Sequence, residues 1–455
     1  MPKLNSKNFE RTFFIILLII SLIGTATVYL FKFNGPPIRS DGLGYYAYLP
    51  SIFVKGDITM NKFVEDFSSH YDQKKPDQFN GINKYENTGN YLDKYPIGVA
   101  IMMSPFFLMG HVTSLIVHNF VPSIEADGYF SPFYHIFVSL GGTFYMLLGL
   151  FILKRILDKY FKPKVVYLTI FLLTFGTNIF HYATYDAVFS HAYSFFLFAS
   201  FLYLTIKWYE NVGNAHGNSP YSLLLGLVSG LIIVVRPTNA IFLLIFILYG
   251  INLEAISKHL TARVKLFLKQ WKHILIIVAT CSLLLVPQLL YWKYITGKFI
   301  VFSYTGEGFD FTHPQITNVL FSVEKGLFFW APILIFAIAG IYLVSKNKKL
   351  KAYFLPLISY ILLATYIISA WGDWTYGGSF GHRAFIESFV ILAIPMAAFY
   401  SWLFEQKNKF VKISILILSS ILCFLTIYLM IQYWRGLIPI DGATINDYIN
   451  ALLNK

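Results

Sequence analysis

Eleven apolar runs, each 15 to 21 residues long, leave this chain few folds to adopt. They cover residues 13–31, 133–153, 165–180, 188–206, 221–235, 238–253, 274–291, 327–344, 353–369, 385–404 and 411–431. About 20 apolar residues cross a hydrocarbon core as a helix, and there every backbone polar group must be bonded within the protein. The expected class is therefore an all-α polytopic membrane protein. Composition agrees, since 56% of the 455 residues are hydrophobic and only 13% are charged. Lys3, Lys7 and Arg11 precede the first run, which is longer than the core of a cleaved leader and reads as an uncleaved signal anchor. Cys281 and Cys423 both fall inside apolar runs and read as packing residues.

The net charge of +13 is distributed in a way that argues against nucleic acid as a partner. Lys154, Arg155, Lys159, Lys162 and Lys164 lie between two apolar runs; so do Lys258, Arg263, Lys265, Lys269 and Lys272. Lys346, Lys348, Lys349 and Lys351 form a third cluster, and Lys407, Lys409 and Lys412 a fourth. Such clusters mark cytoplasmic loops. One more run, 95–117, would invert every later loop if it crossed. It carries Pro96, Gly98, Pro105 and Gly110, which interrupt helical bonding, so it reads as interfacial or re-entrant. The expectation is about 11 transmembrane helices (11–13), N-terminus cytoplasmic, with interfacial helices in a long first external loop over 32–132. The chain reads as one transmembrane domain over 1–455, with no separate soluble domain. The polar middle of that loop, "DQKKPDQFNGINKYENTGNYLDK", reads as solvated.

With the basic clusters inside, the remaining polar residues at span ends share the outer face, and ionisable groups there line polar cavities or pathways. Asp41 sits in "RSDGLGYYAYLP". Two roles stay open from the residues alone: an N-cap for a following interfacial helix, or a general base that takes a proton from an acceptor hydroxyl. Gly42 and Gly44 would leave room for a substrate. Group transfer to such a hydroxyl from a membrane-bound lipid substrate with an anionic leaving group would need an oriented acceptor, a base, and positive charge beside the leaving group. Lys94, Arg236, Lys325 and Arg383, with His382 beside the last, are the external candidates for that charge; the planar fork of arginine favours Arg236 and Arg383. Arg236 also reads as a snorkelling span end, and Arg383 as part of a simple helix-start loop.

The motifs "SDGLGYYAYLP", "KYPIGVAIMMSP", "FSHAYSFF", "RPTN", "LFSVEKGLFFWAP" and "WTYGGSFGHR", in this order, resemble the C-type (GT-C) polyprenyl-phosphate-sugar-dependent membrane glycosyltransferases, mannosyltransferase-like and aminoarabinose-transferase-like. The resemblance implies that Asp41 is the catalytic acidic residue of the first external loop, which favours the general-base role. It implies that Lys94 lies near the carrier phosphate and that transfer proceeds with inversion. A divalent metal accompanies some relatives, but no paired acidic motif surrounds Asp186, so the metal is left unknown.

Asp186, His191, Asp373 and Glu307 are further candidates for acidic, metal or sugar contacts; Asp186 reads more readily as a solvated loop carboxylate, and His181 and His191 as satisfied or interfacial histidines. Trp371, Trp374 and Tyr376 suit either a sugar face or an aromatic belt. Glu307, Asp310 and His313 lie in a long connection that reads as a mobile loop over the site. The expected activity is transfer of a sugar from a polyprenyl-phosphate donor to a lipid or cell-envelope glycan acceptor, at the external face of a bacterial inner membrane. A polytopic transporter or flippase is the alternative, although no internal repeat is visible.

Overall fold

The computed structural model describes residues 6–29, 36–71, 78–79, 81–211, 219–304 and 306–454. Lys3, Lys32 and residues 72–77 of the polar stretch lie outside the described residues. In chain order the elements are α1 (Ser6–Thr27), α2 (Asp41–Phe53), α3 (Asn61–His70), β1 (Gln78–Phe79), β2 (Ile82–Lys84), β3 (Tyr91–Asp93), α4 (Gly98–His118), α5 (Pro132–Leu157), α6 (Pro163–Phe175), α7 (Ile179–Thr184) and α8 (Ser190–Asn211). There follow α9 (Ser219–Val235), α10 (Leu244–Leu248), α11 (Ile256–Lys269), α12 (Trp271–Thr296), α13 (Ile316–Phe321), α14 (Leu327–Trp330), α15 (Ile335–Lys346), α16 (Phe354–Ser369), α17 (Phe389–Glu405), α18 (Lys409–Trp434) and α19 (Ile445–Leu452).

The protein is an integral, multi-pass membrane protein. Among the described residues seven helices are long and apolar enough to cross, or eight if the pair 237–248 and 253–269, bent by 67°, counts as one. The eleven apolar runs therefore do not map one-to-one onto long helices. Prolines account for part of the difference. Pro332 cuts the run 327–344 into α14 and α15, because the residue before a proline avoids helical geometry and Ala331 adopts φ −131°. Pro237, just before the run 238–253, starts a 3-10 segment, and Tyr249, at ψ 125°, ends the short α10 that follows. The run 95–117 becomes α4, one of the seven, with Pro105 inside it.

The chain forms two compact units, both discontinuous. The first comprises Met1–Leu148, Phe180–Tyr193 and Pro287–Thr305; the second Gly149–Ile179, Ser194–Val286 and Gly306–Lys455. In the first unit the polar stretch of the long loop is not merely solvated chain. It folds into an antiparallel sheet in the order β1-β2-β3, with Ile82 opposite Asp93, which qualifies the all-α expectation. Strand β3 is buried, and it and the residues after it are tied to α12, where Asp93 N donates to Tyr291 Oη at 2.9 Å and Ile97 N to Gln288 Oε1 at 2.7 Å. Helix α2, expected to lie exposed at an interface, is packed within the protein, with every residue from Gly42 to Ser51 buried. A helix apolar all round belongs in a core.

In the second unit α17 is buried along nearly its whole length and packs on α15. Gly340 makes that approach feasible, because a Cβ there would collide with the Pro395 carbonyl.

Candidate functional site

The first unit gathers its candidates at the start of α2. The cap position belongs to Ser40, without a side-chain capping bond, so Asp41 is the first helical residue rather than the cap. Ser40 has φ 48°, a left-handed conformation that is costly for a residue with a Cβ. Tyr95 Oη donates to Asp41 Oδ1 at 2.8 Å. Burial, and then the neighbouring Asp41 charge, raise the Tyr95 phenol well above its usual range, so it remains a donor. Tyr45 packs on Tyr95 with ring centroids 4.6 Å apart, and Tyr48 Oη donates to the Tyr95 carbonyl at 2.8 Å, so residues 45 and 48 of α2 hold Tyr95 where it meets residue 41. Lys94 places its ammonium 5.2 Å from the Tyr95 ring and 5.2 Å from that of Tyr304.

Asp186 also lies in this unit, and it is buried rather than solvated. Arg39 donates to its Oδ1 at 2.6 Å and His181 Nε2 meets its Oδ2 at 2.8 Å. The Arg39 guanidinium stands 5.0 Å over the Tyr185 ring. His191 is buried, its ring 5.0 Å from that of Tyr182. No group of three potential metal-ligating side chains occurs among the described residues. Gly42 is tightly packed: a Cβ there would sit 3.1 Å from Val188 Cβ.

The second unit assembles the other candidates around the loop 371–383. Arg236 lies 5.3 Å over the Tyr376 ring and its Nη1 is 3.7 Å from Glu387 Oε1. Arg383 donates to the Tyr376 carbonyl. Tyr376 itself has φ 58°, a second strained residue, next to both arginines. Lys325 is buried, and its ammonium donates to the carbonyls of Ser379 at 2.6 Å and Ile440 at 2.7 Å. Burial lowers it to about 8. Two of its three donors are thus committed to the chain, holding the glycine-rich loop against the segment after α18.

His382 is buried, and neither ring nitrogen has a hydrogen-bond partner among the described residues. Burial, aided by the charges of Lys325, Arg236 and Arg383, lowers the imidazole to about 3 against the opposing influence of the Trp374 backbone. His382 therefore offers an N–H but no positive charge. Asp373 is exposed and accepts from Thr375. Glu307 is half-buried. The connection bearing Asp310 and His313 is pinned rather than loose: Asp310 N donates to Ala370 O and Gln315 N to Ser369 O, both at 2.7 Å, and Tyr366 Oη to Phe311 O. Trp371 packs on Phe309, ring centroids 4.7 Å apart.

No family model and no curated protein matches the chain. Among solved structures it is similar to the oligosaccharyltransferase of Archaeoglobus fulgidus in its apo form, with a TM-score of 0.52 and 10% identity over 96% of this chain and 57% of that one. It is similar to ArnT of Cupriavidus metallidurans in the apo state, with a TM-score of 0.51 and 10% identity over 98% of this chain and 72% of that one. The chain has the GT-C fold. It spans little more than half the length of the archaeal enzyme.

Within this GT-C fold, Asp41, Lys94, Asp186 and His191 belong to the first unit, and Arg236, Glu307, Lys325, Asp373, His382 and Arg383 to the second. Sequence reasoning gave no role to Arg39, Tyr95 or Glu387. Arg39 stands two positions before Asp41, a visible cation beside a carboxylate, but its partner Asp186 is 147 residues away. Glu387 pairs with Arg236, a partner remote in sequence that its own neighbours do not point to.

Proposed function

We propose that the chain is a glycosyltransferase that moves a sugar from a polyprenyl-phosphate carrier to a lipid or cell-envelope glycan acceptor at the external face of a bacterial inner membrane. The observation that carries this reading is the Asp41 carboxylate, oriented by Tyr95 in the same unit as Lys94. The GT-C fold supports it, and nothing in the geometry favours the transporter alternative. The acceptor hydroxyl oxygen bonds to the anomeric carbon while the bond from that carbon to the phosphate oxygen breaks. The proton passes to Asp41 and the electron pair leaves with the polyprenyl phosphate. One displacement of this kind inverts the anomeric centre.

Tyr95 fixes the direction of the carboxylate, which a general base needs before it needs basicity. Lys94 supplies positive charge in the first unit. In the second unit Arg236 and Arg383 are the cations suited to a phosphate, with Lys325 fastening the loop that leads into Arg383. The test is transfer of radiolabelled sugar from a panel of polyprenyl-phosphate sugars by the purified chain. Transfer from none of them removes the proposal.

Tyr95→Phe keeps the ring packing on Tyr45 and removes only the donor to Asp41. The expected result is a fall of about tenfold in transfer rate with unchanged donor binding. An unchanged rate would make the bond incidental to catalysis.

His382 gives a pH prediction. Its pKa of about 3 lies below the unfolded value near 6.5. Between those limits the unfolded chain binds a proton that the folded chain does not, so stability falls as pH drops from about 6.5 toward 3. Thermal unfolding of His382→Phe between pH 7 and 4 should show a weaker decline than wild type. Parallel declines would show that His382 is not the titrating group.

A further inference from the structure

Helix α11 has no buried residue and divides its exposed surface in two. Leu260, Val264 and Leu268 follow at four-residue steps along one side and are 41%, 58% and 68% exposed. Lys258, Lys265 and Lys269 form a second exposed line, turned by about 120° from the first at the angular step of an α-helix. Arg263 faces inward instead, 4.2 Å over the Tyr209 ring, bonding the carbonyls of Phe246 and Tyr249. The helix bends by 67° away from the segment 237–248, and Gln270 alone separates it from the apolar α12. An apolar stripe flanked by lysines, at the mouth of a membrane-crossing helix, is the pattern of a helix lying in the headgroup layer.

The other basic stretches of the second unit are fastened beside it. Tyr353 Oη donates to Tyr160 Oη at 3.0 Å, the Tyr249 and Tyr353 rings are 5.3 Å apart, and Gly250 N donates to Ala352 O at 3.0 Å. Lys164 lies 4.3 Å over the Phe404 ring, whose carbonyl accepts from Lys412 at 3.1 Å. Stretches 154–164, 258–272, 346–351 and 407–412, far apart in sequence, thus converge. Several acids among them are paired: Asp158 with Lys154, Glu210 with Lys159 and Lys207, Glu254 with Lys351. Lys258, Lys265 and Lys269 have no acidic partner among the described residues.

We infer that this face docks on anionic phospholipid headgroups of the bilayer, with α11 lying in the interface and Lys258, Lys265 and Lys269 on the lipid phosphates. Charge complementarity commits the surface to that occupant. Each lysine near an anionic membrane surface contributes about fivefold in affinity, so the three together contribute about 100-fold.

The test uses the full chain in detergent, titrated with micelles containing phosphatidylglycerol or phosphatidylcholine while thermal unfolding is followed. Phosphatidylglycerol should raise the midpoint, and the concentration for half the effect should rise about 100-fold in the triple variant K258Q/K265Q/K269Q. The charge-keeping variant K258R/K265R/K269R should stay within about threefold of wild type, which separates charge from misfolding. Equal stabilisation by phosphatidylcholine, or an unchanged titration in the glutamine variant, overturns the inference. A matching shift with inorganic phosphate alone also overturns it, because the face would then be a soluble-anion site. The assay requires no sugar transfer, so its outcome is independent of the proposed activity.

Discussion

Asp41→Asn should abolish sugar transfer, by a factor of about 10² to 10⁴, while leaving carrier binding and thermal stability near wild type. The substitution isolates the base because the amide has the size of the carboxylate and its oxygen still accepts from Tyr95. What it loses is the capacity to take a proton and a charge at the first position of α2, where the helix dipole favours an anion by up to about 1 kcal/mol. Radiolabelled transfer and carrier binding, measured on the same preparation, separate the two effects. Transfer within about threefold of wild type would remove Asp41 from catalysis, since a base contributes at least about 10²-fold. A large drop in midpoint together with lost transfer would return Asp41 to a structural role.

The second large effect concerns Asp186. Arg39→Met should destabilise the protein by about 3 to 5 kcal/mol, because it leaves a buried carboxylate without its guanidinium. The Arg39 and Asp186 side chains are only 15% and 9% exposed, which makes the penalty that of an interior charge. Combining Arg39→Met with Asp186→Asn should recover much of the loss, since no uncompensated charge then remains. Unfolding in detergent of the two single variants and the double one supplies the coupling. A neutral Arg39→Met, with transfer lost in Asp186→Asn alone, would instead make Asp186 a substrate contact.

These two carboxylates show where sequence reasoning holds and where it stops. Asp41 was legible as a candidate because its position after the first apolar run and its motif are local features. Its helix was legible as well, but not its burial: Tyr45, Tyr46 and Tyr48 suited a membrane interface equally well, and only packing in the first unit decided. Asp186 read as solvated because nothing adjacent to it in sequence neutralises it. The same limit applied to Lys325, a plausible phosphate ligand whose ammonium is held by carbonyls 54 and 115 residues away.

The polytopic membrane class follows from the sequence by itself, because transfer of apolar residues from water is nearly additive along a chain and needs no knowledge of neighbours. The motif order likewise points to the GT-C fold. The tertiary structure alone decided which apolar runs are broken helices, which charges are paired, and that Tyr95 rather than a cap partner holds Asp41. Those outcomes depend on distances between groups remote in sequence, and electrostatic and packing energies are set by such distances rather than by spacing along the chain.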